Sequence, residues 1–184
     1  MIRKCLKILA VVLSLVLAGQ TAWAGDPENT LYLDLPAGRV VIELRPDLAP
    51  NHVKRIKELV RRGFYDGLPF HRVIDGFMVQ GGDPKGDGTG GSGEKIKAEF
   101  SAEHHARGVV SMARAASPDS ADSQFFIMLA DNSALDGKYT IWGKVTSGME
   151  FVDAIKKGDP AKNGVVTDPT RIVKLQVAAD ADKK

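Results

Sequence analysis

The 184-residue chain holds a single cysteine, Cys5, near its N-terminus. The rest of the chain therefore has no disulfide framework, cysteine nucleophile or thiolate metal site. Long apolar runs are also missing: the longest, Ile8 to Leu17, is about half the ~20 residues that a membrane-crossing helix needs. Charge of one sign is scarce, with a net charge of +2 whose excess comes from Arg3, Lys4 and Lys7. Residues 25–184 are near neutral and offer nucleic acid no basic footprint. Histidine occurs four times, never at the spacing of a zinc ligand set, and no serine stands in a G-x-S-x-G elbow. What is present, 43% hydrophobic and 26% charged residues, suits one globular domain.

The N-terminal pattern is that of an export signal: a basic start, the apolar run, and the small-x-small site Ala22-Trp23-Ala24. Cleavage is expected after Ala24, dividing the chain into a signal peptide (1–24) and a single domain (25–184). Gln20, not cysteine, follows Leu17-Ala18-Gly19, so no lipid anchor is expected. The expected location is the periplasm, or outside the cell where there is no outer membrane.

Leu31, Leu33 and Leu35 alternate with polar neighbours, Pro36-Ala37-Gly38 turns the chain, and Val40, Ile42 and Leu44 alternate again. This predicts an antiparallel hairpin. Val53, Ile56, Leu59 and Val60 recur at helical spacing from Pro50 until Gly63. A second helix is expected from Ser147, with Glu150 completing a capping box, to Gly158. Short strands are expected at 71–73, 77–80, 109–113, 124–129 and 140–145, and Val173, Leu175 and Val177 predict a last one. Many short strands with two helices predict a mainly β fold, a closed antiparallel barrel capped by the helices.

Gly86 to Gly91 spells G-x-G-x-x-G, but no helix pattern follows, so a dinucleotide site is not expected. Asp83, Asp87, Gly88 and Glu94 fit an EF-hand count in part, yet Lys85 stands where a ligand belongs. A Gly-rich surface loop is the expected role. His104 and His105, being adjacent, are expected to point apart, and surface roles are expected for them and for His52. Arg72 and Gln80 stand out on predicted strands among aromatics and Met78, because a charge beside apolar walls is costly without a partner or ligand. Alternation turns His71 away from Arg72, which suits a supporting role.

Three ordered strings, FHRVIDGFMVQGGD with a following GTGG, then SQFFI, then LDGKYTIWGKV, resemble the cyclophilin family of peptidyl-prolyl cis-trans isomerases. The resemblance spans nearly all of residues 25–184 and implies an eight-stranded antiparallel barrel with a helix over each end. It implies that Arg72 is the catalytic arginine and that Gln80 and Gln124 bind substrate or position Arg72. It also implies that Phe77, Met78, Phe126 and Leu135 line a proline pocket and that Ala113 lies at the adjoining peptide edge. Three positions depart from the familiar eukaryotic pattern: Ala134 replaces Trp, Tyr139 on the rim replaces His, and Arg114 replaces Asn. No metal or cofactor is implied, and the implied partner is a proline-containing polypeptide segment met by a monomer. A module that only holds such segments is the alternative reading. The set Arg72, Phe77, Gln80 and Phe126 favours the enzyme, since a pure binder has no need of the arginine.

Overall fold

The computed structural model describes residues 25–181, so the expected signal peptide lies outside the described residues. The strands are β1 (Thr30–Leu35), β2 (Gly38–Leu44), β3 (Arg72–Ile74), β4 (Met78–Gly81), β5 (Val109–Met112), β6 (Phe125–Met128), β7 (Ile141–Ser147) and β8 (Lys174–Val177). Two α-helices accompany them, α1 (Pro50–Arg61) and α2 (Met149–Asp153).

The strands form one antiparallel sheet in the order β3-β4-β6-β5-β7-β2-β1-β8. The expected hairpin is β1–β2, with Leu33 opposite Val40 and Leu31 opposite Ile42. The expected closed barrel is corrected to a curled, open sheet, because the end strands β3 and β8 are not paired. The irregular segment 164–172 runs along the gap instead. Val73 N donates to Gly164 O (2.8 Å), Val166 N to His71 O (3.0 Å), Phe70 N to Thr170 O (2.9 Å) and Ile172 N to Leu68 O (3.0 Å). Positive φ at Asn163, Gly164 and Asp168, together with Pro169, keeps this segment from becoming a ninth strand. It still satisfies edge groups that would otherwise be unpaired.

Inside the curl, Leu31, Leu33, Ile42, Val73, Val79, Val110, Ile127 and Leu175 are buried together, and Val53, Ile56, Leu59 and Val60 of α1 close one end. Phe125 lies at the centre, edge-on to Tyr65 (5.7 Å), Phe70 (6.3 Å) and Trp142 (5.8 Å).

α1 begins at Pro50 as expected, but its N-cap Ala49 makes no side-chain cap. The Glu99 carboxylate does that work from a distant loop, accepting from Asn51 N (3.1 Å) and His52 N (3.0 Å). The expected second helix is corrected. Ser147 ends β7, Gly148 (φ +80°) is the N-cap, and the helix stops at Asp153. A side chain at Gly148 would meet the Arg39 carbonyl, so close packing fixes this start and the Ser-x-x-Glu box does not. The expected surface roles of His52 and His105 are also corrected. Both are fully buried, and His52 Nδ1 lies 2.6 Å from Glu99 Oε2. His104 and His105 do not point apart. Their irregular loop brings both Nδ1 atoms to the Asp136 carboxylate, at 2.8 and 3.0 Å. Val173 falls outside β8 and is exposed, unlike Leu175 and Val177.

Candidate active site

β4, β5 and β6 are buried at nearly every residue, which one-sided packing cannot explain. Alternate residues serve two layers. Val79, Phe125 and Ile127 face the inner core, while Met78, Phe126 and Met128, with Val109 and Ile141, form a second apolar cluster. Ile74, Phe77, Ala113, Leu135 and Tyr139 pack on that cluster from strand ends and loops.

Strand register sets the functional row. Arg72 of β3 is opposite Gln80 of β4, which is opposite Phe126 of β6. Beside it runs the apolar row Ile74, Met78 and Met128. Together they make a pocket of about 190 Å³ lined by Arg72, Phe77, Met78, Gln80, Ala113, Arg114, Phe126, Leu135 and Tyr139. All but one of the residues the resemblance assigned to the site are therefore brought together. The exception, Gln124, lines an adjacent hollow of about 280 Å³ that shares Gln80, Ala113 and Arg114 with the pocket.

The Arg72 guanidinium is fixed from two sides. Nε donates to Asn163 O (3.0 Å), one Nη to Asn163 Oδ1 (3.0 Å), and the other Nη to Gln80 Oε1 (3.1 Å). A guanidinium carries five N–H donors, so capacity remains on the terminal nitrogens. Partial burial pushes its pKa down from the ordinary value, yet a guanidinium remains charged at physiological pH. Gln80 Nε2 donates to Gln124 Oε1 (3.0 Å), and Gln124 Nε2 donates to Gly88 O (3.0 Å) and Gly90 O (2.8 Å). The Gly-rich loop thus ends a chain of hydrogen bonds that leads to Arg72. The loop is itself held from within, with Asp83 accepting from Lys85 N (2.8 Å), Asp87 N (3.1 Å) and Gly88 N (2.6 Å).

Sequence reasoning missed two supports. Asn163 holds Arg72 across 91 positions; the Asn-Gly pair signals a turn, but nothing in it says what the turn grips. His105 stacks behind Phe126 (6.4 Å, 18°), and its partner Asp136 follows Leu135 directly. The His104 imidazolium holds the Asp136 carboxyl well below the usual carboxylate range. Arg114, marked in the sequence as a departure from the familiar family pattern, has a side chain that lines both the pocket and the adjacent hollow.

Comparisons with known proteins define the family. The family model described as cyclophilin type peptidyl-prolyl cis-trans isomerase/CLD matches residues 30–177. A probable peptidyl-prolyl cis-trans isomerase of Brucella suis is 53% identical, with 97% of each chain covered. Peptidyl-prolyl cis-trans isomerase B of Bacillus subtilis is 47% identical over 73% of this chain and 95% of its own. Among solved structures, a cyclophilin from Hirschia baltica is 30% identical with a TM-score of 0.76, covering 86% of this chain and 77% of that one. A Cryptosporidium parvum cyclophilin-type isomerase crystallised in the presence of the dipeptide Ala-Pro is 30% identical with a TM-score of 0.73, covering 80% and 98%. The chain belongs to the cyclophilin-type peptidyl-prolyl cis-trans isomerase family and is an enzyme of that type.

Proposed function

We propose that the pocket of about 190 Å³ receives the proline ring of an Xaa-Pro segment and that Arg72 stabilises the twisted amide. Resonance gives the amide a rotation barrier of about 18–20 kcal/mol. Twisting breaks that resonance and returns a lone pair to the proline nitrogen. A guanidinium N–H can meet the lone pair there, but finds no such acceptor in either planar state, so the contact lowers the barrier without tightening ground-state binding. Phe77, Met78, Phe126, Leu135 and Tyr139 hold the ring and exclude water, while Gln80 and Gln124 keep the guanidinium in place. Bringing an exchange of tens of seconds to about a millisecond takes roughly 10⁴-fold, or about 5.5 kcal/mol. A few oriented hydrogen bonds in an apolar pocket suffice for that, and the mechanism moves no proton and forms no covalent bond.

The clamping of Arg72 by Asn163 and Gln80 is the observation that carries this reading. NMR exchange spectroscopy on a short Xaa-Pro peptide tests it. Arg72→Ala is expected to lower kcat/KM by about 10²-fold or more while peptide affinity persists. Binding without acceleration by the unaltered protein would make the pocket a holder of proline segments.

We further propose that the enzyme works as a monomer on exported proteins during folding, in the periplasm or outside the cell. The signal pattern of residues 1–24 supports the location. Among the described residues no helix is long and apolar enough to cross a membrane.

A further inference from the structure

Resting on the isomerase reading, we infer that Arg114 is a specificity-determining residue that makes the site favour prolines flanked by acidic side chains. Away from the pocket, Arg39, Arg45, Arg55, Arg61 and Arg107 each meet a carboxylate within 4 Å, while Arg171 donates to Gly67 O (2.9 Å) and, like Arg62, meets none among the described residues. Arg114 meets none among the described residues. Its Nε and one Nη donate to Lys138 O (3.1 and 3.0 Å), and its other Nη donates to Ala115 O (3.0 Å) and Ala116 O (3.1 Å). These acceptors fix the side chain without neutralising it.

Ring faces hold it further, with Tyr139 at 4.8 Å and the exposed Phe100 at 5.9 Å from the guanidinium carbon. Arg114 therefore forms a rigid positive wall shared by the proline pocket and the adjacent hollow. Asp122, which lines the same hollow, and the acids Asp119 and Asp136 are directed to other partners. Asp122 accepts from Ser92 N (2.6 Å) and Gly93 N (3.2 Å) and lies 3.9 Å from Lys95. Asp119 caps Ala98 N (2.9 Å), and Asp136 binds both neighbouring histidines. Arg72 adds a second guanidinium whose partners are all neutral. A chain passing over this rim meets two guanidiniums that no carboxylate contacts within 4 Å among the described residues, so a carboxylate beside proline is attracted and an ammonium repelled.

The test measures kcat/KM by NMR exchange for the peptides Ala-Xaa-Pro-Xaa-Ala, with Xaa as Glu, Gln or Lys. The expected Glu-to-Lys ratio is about tenfold at low ionic strength, shrinking toward one at high salt. Arg114→Gln is expected to cut the ratio to less than half and Arg114→Lys to keep most of it. Each ratio is taken within one protein, so a change in overall turnover does not affect it. A ratio near one in the unaltered protein, or an unchanged ratio in Arg114→Gln, overturns the inference while leaving the isomerase reading intact. Failure to accelerate any of the three peptides overturns both.

Discussion

Asn163 has a backbone φ of +53°, a conformation that asparagine tolerates better than most residues, and from it the carbonyl and the side-chain amide both reach Arg72. In the proposed mechanism it is a positioning residue, acting on substrate only through the guanidinium. Asn163→Gly keeps the turn and removes only the Oδ1 contact, one charge-assisted hydrogen bond. Since such bonds contribute roughly 1.5–3 kcal/mol, about a tenfold loss is expected, falling on kcat more than on KM. Exchange kinetics and a thermal melt check this together; an unchanged kcat with a lowered Tm would reduce Asn163 to a structural turn. Arg72 and Gln80 stood out in the sequence as polar residues on expected strands among the apolar residues of FHRVIDGFMVQGG, while Phe126 was reached through the family resemblance of SQFFI. Asn163 could not be read there, because its role depends on a contact between segments 91 positions apart.

At the level of elements, the hairpin and α1 were legible because their patterns repeat over six to twelve residues. The start of α2 was not, since the close approach of Gly148 to β2 overrides a local capping signal. The histidines misled for a similar reason: isolated polar residues in loops give no periodicity from which to judge burial. His71, just before β3, is buried. Burial favours its neutral form and pushes its pKa below the ordinary 6.5; Asp83 and Asp87 oppose that shift, and Arg72 reinforces it. Because the folded pKa is depressed, the contribution to stability is present above the ordinary value and lost as pH falls through the folded one. Denaturant unfolding should show stability declining from pH 7 toward pH 5, with a shallower decline in His71→Phe. Equal slopes for the two proteins would assign the loss elsewhere.

Over the whole molecule, the sequence pointed to eight strands and two helices but not to the open seam. Closure depends on which backbone groups meet between β3 and β8, and segment 164–172 shows no alternation that would reveal it. Under the proposed cleavage after Ala24, mass spectrometry of the exported product is expected to find Gly25 as the first residue; a retained apolar segment would contradict the signal reading.

The two-layer use of β4 and β6 also constrains how this protein can change over time. A one-residue insertion within either strand would exchange the inward and outward sets, placing Gln80 or Phe126 in the core and Val79 or Ile127 in the pocket. Folding and turnover would fail together. Insertions can thus accumulate only in loops outside these strands and outside the hydrogen-bond chain to Arg72, such as the turn beside Ala134. Lineages of this enzyme should diverge in which neighbours of proline they prefer while the bond they turn stays the same.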